Sequence, residues 1–269
     1  MSRTYGIEPG VLAIAHRGGR SLGPENTMET FERSFALGYR YLETDVRTTS
    51  DGVCVAFHDR TLRRVTGRPG RIADLTWDEA RRLRVDGTAA VPRLDELLAA
   101  WPGVRWVIDV KQPTSLVSLV RVLRRAGAAR RICLSGTWQR WLDDAAEALG
   151  PQVSTALGWG NLPRYLAGGG PFPRARYVHL PLMAGSWRVP SPALVARSHE
   201  RGLRVVVWGV DRATDIHRLL DDGVDGIITD HPDVLREALV ARDAWRAPTA
   251  PVRRRARPRT PTGTEASTG

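Results

Sequence analysis

The stretch RVVVWGVDRATDIHRLLDDGVDGIIT, residues 204–229, carries the decisive pattern. Arg204–Trp208 is a short β-branched apolar run that reads as a buried strand. Ala213–Asp221 reads as an amphipathic helix, and Gly226–Thr229 as a second strand. Strand, helix and strand in so few residues make a parallel βαβ unit. The same alternation runs outward from this unit. Strands are expected at Val11–Ala15, Tyr39–Val46, Arg105–Val110, Arg131–Leu134, Val153–Leu157 and Arg176–Leu180. Helices are expected at Thr27–Leu37, Ser115–Ala126, Gln139–Leu149, Leu162–Ala167, Pro192–Arg201 and Pro232–Arg242. Eight strands alternating with helices predict an α/β chain folded as a closed (β/α)8, or TIM, barrel. An open doubly wound sheet is the alternative. It is weakened because no Gly-x-Gly-x-x-Gly follows a strand.

One segment interrupts the alternation. Asp51-Gly52 reads as a two-residue hairpin turn, so the second strand turns back at the rim and returns antiparallel as Val53–Phe57. On that register Asp45 faces His58. Residues 60–92 form a polar insertion after the His58 strand. Arg63, Arg64, Gly67, Pro69 and Gly70 read as loop there, and Trp77–Leu83 as a short helix capped by Thr76 and Glu79. Asp95–Trp101 is the helix leading to the third barrel strand. The barrel domain spans residues 1–246. Residues 247–269, rich in Arg, Pro and Thr, read as a disordered tail.

A chain of 269 residues with 42% hydrophobic and 26% charged residues can bury one large core. Cys54 and Cys133 are too few for a disulfide framework or a cysteine zinc site. No apolar run is long enough to span a membrane, and the first ten residues lack a secretion pattern, so a cytoplasmic location is the default. The net charge of +11 comes almost entirely from arginine, with Lys111 the sole lysine. This excess favours anionic partners such as phosphates, or weak contact of the tail with an acidic membrane surface. Nucleic acid is not an expected partner, because no recognition module is present.

In such barrels the working residues lie at the C-terminal ends of the strands. Those ends carry His16-Arg17-Gly18-Gly19, Glu43 and Asp45, His58-Asp59 on the return strand, Asp109 and Lys111, Trp208, and Thr229-Asp230-His231. Glu43 and Asp45 stand two apart on a strand and share a face. With Asp109 they give an oxygen-rich set suited to a hard divalent ion, Mg2+ or Ca2+. The alternative is that these carboxylates simply pair with arginines at the rim. His16 and His58 converge on the same mouth, where two histidines can serve in turn as general base and general acid. His179, His199 and His217 lack such company and read as structural or surface residues. Arg17 and Lys111 bring positive charge suited to a phosphate.

These residues resemble the glycerophosphodiester phosphodiesterase family. The resemblance rests on His16-Arg17-Gly18, Pro24-Glu25-Asn26-Thr27, Glu43-Thr44-Asp45-Val46, Asp51-Gly52, His58-Asp59 and Gly223-Val224-Asp225-Gly226-Ile227-Ile228-Thr229-Asp230, over roughly residues 13–239. It implies a (β/α)8 barrel with a small insertion, and divalent-metal-dependent hydrolysis of a glycerophosphodiester to sn-glycerol 3-phosphate and an alcohol. Glu43 and Asp45 then look like metal ligands, His16 and His58 like the acid–base pair, and Arg17 like a phosphate contact. The chain departs from the family pattern at Asp109, where Glu is usual, and at Asp211, where Asn is frequent. Trp208 reads either as a wall of the substrate pocket or as core. Glu25 and Asn26 read either as site residues or as braces of their loop. Two other readings stand beside this one: a lysophospholipase D acting on lysolipids, and a non-catalytic barrel that binds anionic lipid or phosphodiester.

Overall fold

The computed structural model describes residues 4–246. The expected tail, 247–269, lies outside the described residues. Eight strands form the barrel, interrupted by one return strand. They are β1 (Leu12–Ala15), β2 (Tyr41–Thr48), the return strand β3 (Cys54–Ala56), β4 (Arg105–Val110), β5 (Ile132–Gly136), β6 (Ser154–Thr155), β7 (Tyr177–Pro181), β8 (Arg204–Trp208) and β9 (Gly226–Thr229). All except β3 pair in parallel, in the order β6-β5-β4-β2-β1-β9-β8-β7. A parallel bridge between Ala156 and Tyr177 closes the ring between β6 and β7. The helices are α1 (Met28–Ala36), α2 (Leu94–Ala100), α3 (Leu116–Arg125), α4 (Gln139–Leu149), α5 (Leu162–Leu166), α6 (Pro192–Glu200), α7 (Ala213–Asp221) and α8 (Pro232–Ala241). The TIM barrel expected from the alternation is therefore the fold.

Burial explains the arrangement. Strand residues facing the helices join the helix faces in one large apolar layer, in which Phe31 of α1 packs edge-on against Trp106 of β4 at 5.1 Å between ring centres. Strand residues facing the axis form a second cluster that includes Ile14, Tyr41, Val107, Cys133, Tyr177 and Val206. Tyr5, from the segment before β1, joins this cluster with edge-on contacts to Tyr41 and Tyr177. The inward set recurs every second residue, so the next inward positions above it face the mouth. Among the described residues no helix is long and apolar enough to cross a membrane.

The insertion has its own small core. Val55, Phe57, Leu62, Val65, Ile72, Leu83, Val85 and Val91 cluster beneath it. The capping box of Thr76 and Glu79 is present, on a helix shorter than expected (Trp77–Ala80). Arg63–Thr66, read as loop from sequence, is a helical turn, because Leu62 and Val65 are drawn into this core and Gly67 ends the turn at φ 69°.

The hairpin register needs correction. The ladder pairs Val46 with Ala56, Arg47 with Val55 and Thr48 with Cys54. Extended by one step, it sets Phe57 opposite Asp45, where the Phe57 N–H donates to the Asp45 carbonyl at 3.0 Å. The loop holds three residues, Ser50, Asp51 and Gly52, because Gly52 adopts φ 83° and Val53 N–H turns back to the Thr49 hydroxyl. Such a slip normally reverses the faces of a strand. His58 escapes that consequence because it lies beyond the end of β3, where the pleat no longer sets its direction.

Candidate active site

A cavity of about 270 Å³ opens at the C-terminal mouth, lined by His16, Arg17, Glu43, Asp45, His58, Asp109, Lys111 and Trp208 among others. The eight residues expected to act on the proton, the metal or the substrate thus meet in one cavity, whereas Glu25 and Asn26 stand behind it as braces. The alternation of β2 turns Tyr41, Glu43 and Asp45 to the axis, and Asp109 stands beside Asp45 in register on β4.

His16 opens the turn after β1. A carboxylate only accepts, so its Nδ1–H donates to Asp230 Oδ1 at 2.8 Å, and Nε2 faces Glu43 Oε2 at 3.8 Å. Burial would depress the His16 pKa, but the bond to Asp230 and the nearby Glu43 carboxylate outweigh it and raise the pKa. Asp230 is itself held by Asp211, whose Oδ1 accepts from the Asp230 N–H at 2.9 Å and from the Thr229 hydroxyl at 3.0 Å. Aspartate in place of the family's asparagine therefore still braces this turn. Gly19 permits the approach of the last helix, since a Cβ there would lie 2.6 Å from the Pro232 ring.

His58 is oriented in the same way. Its Nδ1–H donates to Asp59 Oδ1 at 2.6 Å, and its carbonyl accepts from Arg47 Nε at 2.9 Å. Burial and the facing Lys111 lower its pKa despite the Asp45 and Asp59 carboxylates. Arg64 of the insertion grips Asp59 through Nε at 2.6 Å and Glu25 through Nη1 at 2.8 Å. Glu25 in turn accepts from Arg17 Nη1 at 3.0 Å. A chain of charge-assisted bonds therefore joins the loop of His58 to the loop of His16. Glu25 is buried, yet its carboxyl stays below the usual range because three arginines outweigh its desolvation.

Arg17 sits at φ 50°, a left-handed conformation costing roughly 1–2 kcal/mol for a non-glycine residue. That turn aims its N–H at Glu43 Oε2, 2.9 Å away. Its Nε lies 3.1 Å from Asp45 Oδ2, an ion pair without hydrogen-bond alignment. Asn26 locks Asp45 from the other side, with Nδ2 donating to Oδ2 at 2.9 Å while its own Oδ1 accepts from Thr44 at 2.8 Å. Lys111 Nζ lies 2.9 Å from Asp45 Oδ1 and 2.8 Å from Asp109 Oδ2.

The three carboxylates are not equivalent. Burial and the Asp45 charge push Glu43 up to about 7. Asp45 is equally buried, but Lys111 and Arg17 hold it well below the usual carboxylate range. Lys111 and Arg17 take up both oxygens of Asp45 and one of Asp109. Among the described residues no group of three His, Cys, Asp or Glu closes on a metal position in this arrangement. The donor chemistry still fits a hard cation. All the candidate ligands are carboxylates, and Glu43 and Asp45 are buried at the mouth beside Asp109, an all-oxygen set of the kind hard divalent ions take.

Trp208 lines the cavity and meets Trp159 edge-on at 5.0 Å, so it walls the pocket. Asp59, Arg64, Asp230, Ser135, Trp159 and His179 also belong to the site or its support, and sequence reasoning did not assign them roles. His179, read from the sequence as structural or surface, is buried and lines this cavity from β7. The signal was its spacing, two residues after the inward Tyr177 on β7.

A closed parallel barrel that presents carboxylate-braced histidines and fixed cations in one mouth can support acid–base chemistry on an anion. The model of the glycerophosphoryl diester phosphodiesterase family matches residues 16–234. The chain belongs to this family, a family of phosphoric diester hydrolases. It is 37% identical over 247 residues to the Mycobacterium tuberculosis protein "Probable glycerophosphodiester phosphodiesterase 2", covering 88% of this chain and 93% of that protein. It is 28% identical to a glycerophosphodiester phosphodiesterase of Caldanaerobacter subterraneus, covering 83% of this chain and 96% of that one. A crystal structure from Silicibacter pomeroyi, of the same proposed activity, superposes with a TM-score of 0.76 at 27% identity, covering 89% of this chain and 97% of the other.

Proposed function

We propose that the protein hydrolyses glycerophosphodiesters to sn-glycerol 3-phosphate and an alcohol, with His16 and His58 as the acid–base pair. The observation that carries this reading is the matched bracing of the two histidines. Each gives Nδ1–H to an aspartate, at 2.8 Å for His16 and 2.6 Å for His58, which leaves Nε2 of each for proton transfer. One takes the proton of the attacking oxygen, either water or the glycerol 2-hydroxyl, whose cyclic phosphate a water then opens to sn-glycerol 3-phosphate; the other gives a proton to the leaving alcohol oxygen. Arg17 and Lys111 hold the phosphate and offset the charge that grows on its oxygens. Glu43, Asp45 and Asp109 would hold Mg2+ or Ca2+, which when bound supplies further stabilisation of that charge. Trp208 walls the substrate. A cytoplasmic setting agrees with such a water-soluble substrate.

The second reading is a lysolipid substrate. It is favoured by the exposed side chains of Met183 and Trp187, which follow β7 on the mouth side of the barrel. Incubation with glycerophosphocholine and with lysophosphatidylcholine, each with Mg2+, Ca2+ or chelator, separates the two. Metal-dependent release of sn-glycerol 3-phosphate from glycerophosphocholine supports the first reading. Turnover of the lysolipid alone supports the second, and no release from either rejects both.

A further inference from the structure

His179 is 3% exposed and lines the cavity, yet its Nε2 has no hydrogen-bond partner. On the adjacent strand Trp208, which lines the same cavity, has an Nε1–H equally without a partner. Buried polar atoms are normally satisfied, and leaving one unpaired costs about 1–3 kcal/mol. Two of them, from adjacent strands that line one pocket, point to a ligand that satisfies them. Burial is the sole cause that lowers the His179 pKa, to about 4, so the ring is neutral near pH 7 and offers one donor and one acceptor.

The position says which part of the ligand is met. β7 stands four strands from β2 in either direction round the barrel, so His179 faces the catalytic carboxylates from across the axis. Its neighbour in register is Val206, two residues before Trp208, so the ring lies deeper than Trp208 on that side. The leaving alcohol differs between substrates and needs the open mouth. The glycerol moiety is common to all of them. A choline group can neither donate nor accept a hydrogen bond, so it cannot satisfy these nitrogens; a glycerol hydroxyl does both.

Building on the proposed hydrolysis, we propose that His179, seconded by Trp208 Nε1, is the specificity-determining residue that reads the glycerol hydroxyls of the substrate. Ser135, which lines the same cavity from β5, adds a hydroxyl within the inward set. A site built around hydrogen bonds to a hydroxyl rejects the analogue that lacks it, because its own polar groups are then left unpaired.

The test is calorimetric binding of sn-glycerol 3-phosphate and of propyl phosphate, which keeps the phosphate and the three carbons without the hydroxyls. The wild-type protein is expected to favour the glycerol compound by about tenfold or more. His179→Leu should bring the two affinities to within about twofold by weakening the glycerol compound alone, and His179→Gln should restore part of the preference. Thermal melts of both variants establish that they are folded. Equal weakening of both ligands, an unchanged ratio in His179→Leu, or a wild-type protein that does not discriminate would each overturn the assignment. Turnover of glycerophosphocholine by the wild type, measured in parallel, judges the proposed hydrolysis separately.

Discussion

His16 Nδ1 and Asp230 Oδ1 lie 2.8 Å apart although 214 residues separate them in the chain. The contact exists because the barrel closes: β1 and β9 pair with Ala15 beside Thr229, so the residues that follow each strand meet at the rim. Asp230 thereby fixes the tautomer and plane of His16 without itself reaching the reacting atoms. Replacing it by asparagine should lower kcat by about 10- to 100-fold with KM nearly unchanged, since the imidazole loses its orienting charge. Steady-state kinetics on glycerophosphocholine decide this; an unaltered kcat would leave Asp230 as a structural brace only.

Arg64 tests whether the insertion supports catalysis. Its guanidinium joins Asp59 to Glu25 and so ties His58 to the loop that carries Arg17. Arg64→Ala should reduce kcat roughly tenfold, and combining it with Asp59→Asn should cost much less than the product of the single losses, because both act through His58. Additive losses would show that the two residues do not share one path.

Lys111 and a metal ion draw on the same carboxylates. Mg2+ or Ca2+ at one hundred times its Kd should stabilise the fold by about 2.7 kcal/mol, seen as a rise in Tm that chelator reverses. Glu43→Gln and Asp45→Asn should each abolish most of that rise. A Tm indifferent to both ions and chelator would argue that Lys111 is the permanent counter-charge of Asp45 and Asp109.

How much of this was legible in the sequence differs by level. The barrel was readable because each strand is an apolar run and each helix an amphipathic one; α4 and α7 begin and end where their spacing predicts. The hairpin register was not, since Asp51-Gly52 suits both a two-residue and a three-residue loop. The left-handed Gly52 and the bonds that pair Thr49 with Val53 select the longer one. The helical turn at Arg63–Thr66 was hidden for a related reason. Its two arginines and Gly67 suggest a loop until the core under Leu62 and Val65 is seen.

The site followed a similar division. Residues on strand ends, such as Glu43, Asp45 and Asp109, declare themselves through the pleat, because alternate positions must share a face. Bracing residues do not. Nothing local marks Asp230 as the partner of His16, or Arg64 as the partner of both Asp59 and Glu25, since those bonds are made by closure of the barrel and packing of the insertion. The place of His179 at the cavity was not legible because its company lies on other strands, although its distance of two from Tyr177 already turned it inward.

The stability of the fold should record the same histidine. His179 has a folded pKa of about 4 against an ordinary 6.5, so the unfolded chain binds the proton more readily. A depressed histidine contributes stability that is fully present above about pH 6.5 and is lost as pH falls toward 4, by at most roughly 3 kcal/mol. Below that both states are protonated and the slope ends. His179→Leu removes this loss and also removes a buried nitrogen without a partner. The variant should therefore match or exceed the wild type at pH 8 and gain on it steadily between pH 6.5 and 4 in urea unfolding. The carboxylates that titrate in this range are common to both proteins, so they cancel in the difference. Parallel stability curves would mean that His179 already finds a partner in the folded protein, and its imidazole would then not be free to meet a substrate.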